Sequence, residues 1–325
     1  METHVSVRAR LRDLSPIVHD SACANVAAAY NQSGADYAAF ADGDPMRPFA
    51  FCGLHAYADR QIWTLVDRNL TALRAKGATS VRILDAGCGP GTWLRRIVAR
   101  ATALGFTTIN ARGFDIARAQ VQRAQLLSRN LSGASGVALT YDVADLMGEL
   151  PEAEASVDIT LCLYSVLSHL PVANLPKIAA EISRVTSGCF IATVRSVGST
   201  PTILIDSIDK ARRFQHDNIR DRYEIGLRDG RRIELGFHLF NASELRNCFA
   251  DHLEIEDLCG LDLFHNRFAP DPRWNPASLA DDDAFVDELE RLEEAYATRP
   301  GIYGARYPSP AGRAPSTRRS PGRCP

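Results

Sequence analysis

No apolar run in the 325-residue chain approaches the roughly 18–20 residues that a membrane-spanning helix requires. The stretch from Met1 to Leu14 carries Arg8, Arg10, Arg12 and Asp13 and lacks the apolar core of a secretory signal. Neither a membrane partner nor export is expected, and the location read from this is cytoplasmic. The 8 cysteines include no Cys-x-x-Cys pair. Cys162 and Cys189 stand singly in apolar segments, the usual setting of a small buried thiol, so disulfide frameworks and metal sites are disfavoured. A surplus of charge is missing too. Lys and Arg number 37 against 39 Asp and Glu, a net −2 that gives no electrostatic reason to expect DNA or RNA as partner. What remains, 46% apolar and 23% charged residues, suits a globular protein of one large domain, or one domain with appendages.

The most informative stretch is 81–91, Val81-Arg82-Ile83-Leu84-Asp85-Ala86-Gly87-Cys88-Gly89-Pro90-Gly91. Val81, Ile83 and Leu84 read as a buried strand ending on Asp85, and a helical pattern begins at Thr92. Strand, glycine turn and helix N-terminus together form a site for a nucleotide-like ligand, because glycine permits a sharp turn and a close approach. The dinucleotide fingerprint demands Gly-x-Gly-x-x-Gly, whereas the spacing here is Gly-x-Gly-x-Gly, and Thr92 stands where the third glycine belongs. Asp85 would also repel a pyrophosphate. It suits a ligand with a cationic amino group.

Downstream, strands and helices alternate as in an α/β fold with a doubly wound, mostly parallel sheet and helices on both faces. Helix 92–103 leads to a strand at Thr108–Phe114 that ends on Asp115. Helix Ile116–Arg129 and strand Val137–Tyr141 follow. Val157–Leu163 is almost continuously apolar, as a strand covered on both faces should be. Helix Pro171–Val185 stops at Gly188, and strand Cys189–Val194 comes next. A sixth strand is expected at Leu253–Leu258, after helix Ala242–Phe249. Alternating Tyr223, Ile225, Leu227 and Ile233, Leu235, Phe237, Leu239 flank Asp229-Gly230, a hairpin signature. With the polar segment Asp206–Arg222 this hairpin forms an insertion at 196–240, placed to act as a substrate lid.

The expected organisation is an N-terminal cap segment at 1–56, with a core at 57–264 that opens on helix Tyr57–Lys76. The cap is aromatic-rich from Tyr30 to Ala56. A C-terminal acidic helical segment follows at 265–300. Residues 301–325 hold five Pro, five Arg and no acidic residue. They cannot offset their ordering entropy by burial and should be a disordered tail, foreign in composition to the fold.

The Asp-x-Gly-x-Gly-x-Gly pattern, with acidic residues after the next two strands, resembles the motifs of class I S-adenosylmethionine (SAM)-dependent methyltransferases over residues 80–195. The resemblance implies a Rossmann-like fold with SAM as cofactor. Ala86, Gly87, Gly89 and Gly91 would approach the methionine part, with Asp85 lending negative potential near its ammonium. Asp115, with Ile116 beside it, would accept the ribose hydroxyls. Asp142 would pair with the adenine amino group and Val143 would flank the ring. Asp145 competes for that role, but Asp142 follows the strand directly and Asp145 can cap what comes next. Cys162, Leu163 and Tyr164 would lie beside the methyl group. His169 is the best-placed general base, set against a purely structural role, with His238 and His265 as weaker candidates. The interval from Gly91 to Asp115 exceeds the family's usual one, and Ala103–Asn110 is expected to absorb the excess as a loop. The strand that normally closes such a sheet is not evident.

The function expected is transfer of the SAM methyl group to an oxygen or nitrogen acceptor on a small molecule, with the cap and the insertion shaping its pocket. Glycine spacing opposes a NAD-dependent oxidoreductase. The intact set Asp85, Gly87, Gly89, Gly91, Asp115 and Asp142 opposes a non-catalytic, degenerate scaffold.

Overall fold

The computed structural model describes residues 24–32, 48–51, 55–197, 211–217, 219–269, 271, 273 and 284–297. The tail 301–325 and most of the cap segment, Tyr37 and Phe40 included, lie outside the described residues. The chain divides into two compact units, one of 1–50, 62–194 and 201–239, the other of 51–61, 195–200 and 240–325. The lid strands fall with the core, as in the 57–264 segment read from sequence, while 240–264 and the start of that segment group with the C-terminal helices.

The first unit is built on β1 (Ser80–Ala86), β2 (Thr108–Asp115), β3 (Val137–Val143), β4 (Val157–Cys162) and β5 (Thr186–Ala192), all parallel in the order β3-β2-β1-β4-β5. The order reverses between β1 and β4, so the crossover helices fall on opposite faces and a crevice opens at the strands' C-terminal ends. Helix α1 (24–32) and the C-terminal part of α2 (Ala56–Ala75) precede the sheet. Helix α3 (Thr92–Ala103) buries Trp93, Leu94, Ile97, Val98 and Ala101, an apolar stripe at helical spacing. Gly113 lets α3 pack close on β2, since a Cβ there would lie 2.8 Å from the Leu94 side chain. Helices α4 (Arg118–Leu127) and α5 (Arg129–Ser132) replace the single helix expected over 116–129. Helix α6 (Leu175–Val185) begins after a short 3-10 turn, with Pro176 in its first turn.

Several expectations are corrected. Strand β3 runs through Asp142 and Val143 instead of stopping at Tyr141. The α3–β2 connection is only 104–107, because β2 pairs with β1 from Thr108 onward. Gly188 stops no helix: it sits inside β5, where a Cβ would meet the Asp158 carbonyl oxygen at 2.1 Å. Leu253–Leu258 forms no strand. Leu253 and Ile255 are half-buried between exposed neighbours, so the alternation marks a one-sided segment without a ladder.

The hairpin is β7 (Arg222–Leu227) with β8 (Arg232–Gly236), and the polar stretch before it supplies a third antiparallel strand, β6 (Ala211–Asp217). β6 is an edge strand with four consecutive exposed residues, hence its polar sequence. Val26 and Ala29 of α1 pack on Tyr223, Ile225, Leu227, Ile233, Leu235 and Phe237. Cap helix and insertion are therefore one small α-on-β layer.

In the second unit, α7 (Ala242–Phe249) starts with a capping box between Asn241 and Glu244. The buried Glu293 of α9 (Ala284–Tyr296) accepts the amides of Leu263, Phe264 and His265 at 2.7–2.9 Å, at the start of α8 (His265–Phe268). His55 Nδ1 lies 2.8 Å from Asp262 Oδ2, and Arg60 pairs with Glu290. No helix among the described residues is long and apolar enough to cross a membrane.

Candidate active site

The turn after β1 is held by three glycines with positive φ: 77° at Gly87, 51° at Gly89 and 77° at Gly91. At Gly87 a Cβ would also fall 2.3 Å from Val166, and at Gly91 it would strike the Tyr141 ring at 2.7 Å. Every amide hydrogen of 87–91 is taken within the chain. Gly87 and Cys88 donate to the Phe114 carbonyl (2.8 and 2.9 Å), Gly89 to Asp115 Oδ2 (2.9 Å) and Gly91 to the Cys88 carbonyl (2.9 Å), while Pro90 has none. A pyrophosphate cradle needs those donors, so the turn is not one.

A cavity of about 910 Å³, counted to its open mouth, lies over the turn. Its acidic lining residues are Asp85, Asp115 and Asp145. Asp85 is 2% exposed, and burial, with the charge of Asp115 second, pushes its carboxyl up to about 8. Asp115 is also raised by burial, against which the amides of Ala117 (2.8 Å, on Oδ1) and Gly89 act. Asp145 Oδ1 accepts the Met147 amide at 2.9 Å, whereas its Oδ2 is buried without a hydrogen-bond partner. Of the residues singled out in the sequence, Asp85, Gly87, Gly89, Asp115, Ile116, Leu163, Tyr164 and His169 line the cavity.

Others do not. Asp142 points away: strand alternation puts it on the exposed face of β3 with Ala138 and Thr140, its side chain is 51% exposed, and Arg112 Nη1 lies 3.5 Å away. Asp145 and Ala144 line the cavity where Asp142 and Val143 were expected. Ala86 and Cys162 are fully buried in their strands, and Gly91 serves as the N-cap residue of α3. Val26, Tyr30, Trp93, Val166 and Leu170 line the cavity without having been singled out for it.

At the end of β4, Tyr164 (φ 55°) and Ser165 (φ 68°) are consecutive non-glycine residues in left-handed conformation, which costs on the order of 1–3 kcal/mol each. Thr193 fixes this bend: its Oγ1 accepts the Tyr164 amide (2.7 Å) and its carbonyl the Ser165 amide (3.1 Å). His169, just beyond, is buried, and burial lowers its pKa to about 4. Its Nδ1 faces the Gly236 carbonyl at 3.2 Å and its Nε2 the Tyr30 hydroxyl at 2.9 Å. A carbonyl can only accept, so Nδ1 carries the proton and Nε2 accepts from Tyr30. His238 pairs with Asp221 (2.9 Å) outside the cavity lining, and His265 belongs to the second unit.

A family model described as a methyltransferase domain matches residues 83–188. Over residues 83–188 the chain carries a methyltransferase domain. The match runs from within β1 to the first residues of β5 and so takes in the glycine turn, Asp115, Asp145 and His169. Among solved structures, it resembles geranyl diphosphate C-methyltransferase from Streptomyces coelicolor A3(2) (15% identity, 90% of this chain and 96% of that one, TM-score 0.48). It also resembles magnesium protoporphyrin IX methyltransferase from Synechocystis PCC 6803 with bound SAM (16%, 75% and 89%, TM-score 0.44). A sugar N-methyltransferase from Streptoalloteichus gives 20% identity over 58% and 76%, with a TM-score of 0.38. No curated protein matches the sequence.

Proposed function

We propose that the domain transfers the methyl group of SAM to an oxygen or nitrogen atom of a small molecule held between the glycine turn and the layer of α1 and β6–β8. The observation that carries this reading is the polarity of the cavity: the turn amides are spent inside the chain, while Asp85, Asp115 and Asp145 line it. Such a site suits a ligand rich in donors and carrying a cation.

The residues present fit SAM. Asp85 would hold the ammonium, which would replace the missing counter-charge of a buried carboxyl. The two amides on Asp115 occupy one lone pair of each oxygen, leaving acceptor capacity for both ribose hydroxyls. Oδ2 of Asp145 would accept from the adenine amino group, satisfying an otherwise orphaned atom, with Ile116 and Leu146 against the ring. When bound, SAM supplies a methyl group activated on a sulfonium, so positioning and exclusion of water account for most of the protein's part. The strained bend at Tyr164–Ser165 supports that positioning role.

Calorimetric titration of the full chain with S-adenosylhomocysteine (SAH), SAM and NAD tests the cofactor assignment, and SAH and SAM should bind while NAD does not. Tighter binding of NAD would overturn it. A screen of metabolite extracts for a SAM-dependent gain of one methyl mass then tests the acceptor class, and mass gain confined to protein or RNA would refute the small-molecule reading.

A further inference from the structure

We propose that Asn31 is a positioning residue of the cofactor site: it caps α4 from the lid layer, and so couples the docking of α1 and β6–β8 to the presence of SAM in the cavity. The inference rests on the cofactor reading above and adds to it a residue outside the cavity lining. Helix α4 begins without a cap of its own, because its N-cap residue is Ala117, which has no side-chain oxygen for the first-turn amides. Two side chains from outside the helix take that place. Asp115 Oδ1, on the cofactor side, accepts the Ala117 amide at 2.8 Å. Asn31 Oδ1, 88 residues away from its partner on α1, accepts the Ala119 amide at 2.9 Å. Ile116, between Asp115 and Ala117, lines the cavity and also packs on the apolar core of the lid layer. Segment 115–119 is therefore held from the cavity at one end and from the lid layer at the other.

The same layer is tied to the methionine end of the cavity. The Ser168 carbonyl accepts the amide of His238, just after β8, at 2.6 Å, and His169 Nδ1 faces the Gly236 carbonyl at 3.2 Å. Ser168 and His169 belong to the 3-10 turn Val166–His169, whose Val166 packs against Gly87 of the glycine turn. A cofactor that fixes Asp115 and Ile116 also fixes the start of α4, and with it the amide that Asn31 caps. By linkage, a docked lid layer raises the affinity for cofactor by the same factor. The described lining residues include none from β7 or β8, so a response of those strands to cofactor has to be transmitted through these contacts.

The test uses the full chain, calorimetric titration with SAH, and hydrogen exchange read by mass spectrometry on peptides covering 222–236. Saturating SAH should slow exchange there in the wild-type protein. Asn31 is exposed, so truncating it leaves the apolar core in place. Asn31→Ala should bind SAH about fivefold more weakly, the size of one helix cap, and should lose most of the slowing over 222–236. Asn31→Asp can still accept the Ala119 amide, so it should keep the slowing and bind SAH within about twofold of wild type. Rescue by this variant is the readout that a purely packing role of α1 would not give. Exchange over 222–236 that ignores SAH in the wild type would overturn the proposal. So would an Asn31→Ala variant that keeps its affinity or its slowing, or an Asn31→Asp variant as weak as Asn31→Ala. Failure of the wild-type chain to bind SAH would instead sink the cofactor reading beneath it.

Discussion

The orphaned oxygen of Asp145 separates two carboxylates only three residues apart. Oδ1 already closes a local turn onto the Met147 amide, and Oδ2 is buried with no partner. Asp145→Asn keeps the turn through its remaining oxygen but cannot offer a charged acceptor at Oδ2. A hydrogen bond to a charged group is worth about 1.5–3 kcal/mol, so SAH affinity should fall roughly tenfold or more in calorimetry. Asp142→Asn, on the exposed face beside Arg112, should change it by less than about twofold. Equal losses in the two variants would show that the adenine end is held elsewhere. The same arithmetic applies to Asp115→Ala, which should also lose at least about tenfold. There the Gly89 amide is released as well, so SAH binding and thermal stability should fall together; intact affinity would refute the ribose assignment.

At the scale of elements, the glycine turn shows why some features were legible in the sequence. Three glycines with positive φ after an apolar strand leave few alternative backbones, and both the turn and the start of α3 at Thr92 follow from them. Gly87→Ala should cost about 1–3 kcal/mol from φ alone, plus the overlap with Val166. Gly77→Ala shares the positive φ but meets nothing within 4 Å, so it should cost only the strain. Thermal melts of the two variants check the difference, and equal melting points would remove the packing role of Gly87. Less legible was whatever depends on a partner distant in sequence. Whether β3 ends at Tyr141 or Val143 decides which acidic side chain faces the cavity, and that is set by pairing with β2 through Asp115↔Val143. The edge strand β6 carries no alternation because most of its side chains meet solvent, and Leu253–Leu258 carries alternation yet forms no more than an isolated bridge at Leu258. Tyr30 could be read as a cap aromatic, but its link to His169 spans 139 residues and appears only once α1 lies on the lid sheet.

For the molecule as a whole, the buried ionisable groups at the site predict how stability responds to pH and to cofactor. Burial, and then the charge of Asp115, raise the Asp85 carboxyl to about 8. Between the usual carboxylate range and about pH 8 the folded chain therefore keeps a proton that the unfolded chain has released, and stability falls as pH rises. His169 acts with the opposite sign. Burial lowers it to about 4, so below about pH 6.5 the unfolded chain gains a proton that the folded chain refuses, and stability falls as pH drops. The two contributions offset each other from about pH 4 to 6.5; from there to pH 8 that of Asp85 is unopposed by His169. Unliganded protein should lose on the order of 2 kcal/mol across that interval, measured by urea denaturation at pH 6.5, 7.2 and 8.0. The series stops at 8 because the thiols of Cys88 and Cys162, both raised by burial, add the same slope at higher pH. Saturating SAH should flatten the decline, since its ammonium stabilises ionised Asp85, so the stabilisation by SAH grows with pH. Asp85→Asn should flatten it without ligand, raise unliganded stability at pH 8 and weaken SAH binding. A decline of unchanged slope in Asp85→Asn would show that another group carries the titration and would detach Asp85 from the ammonium site.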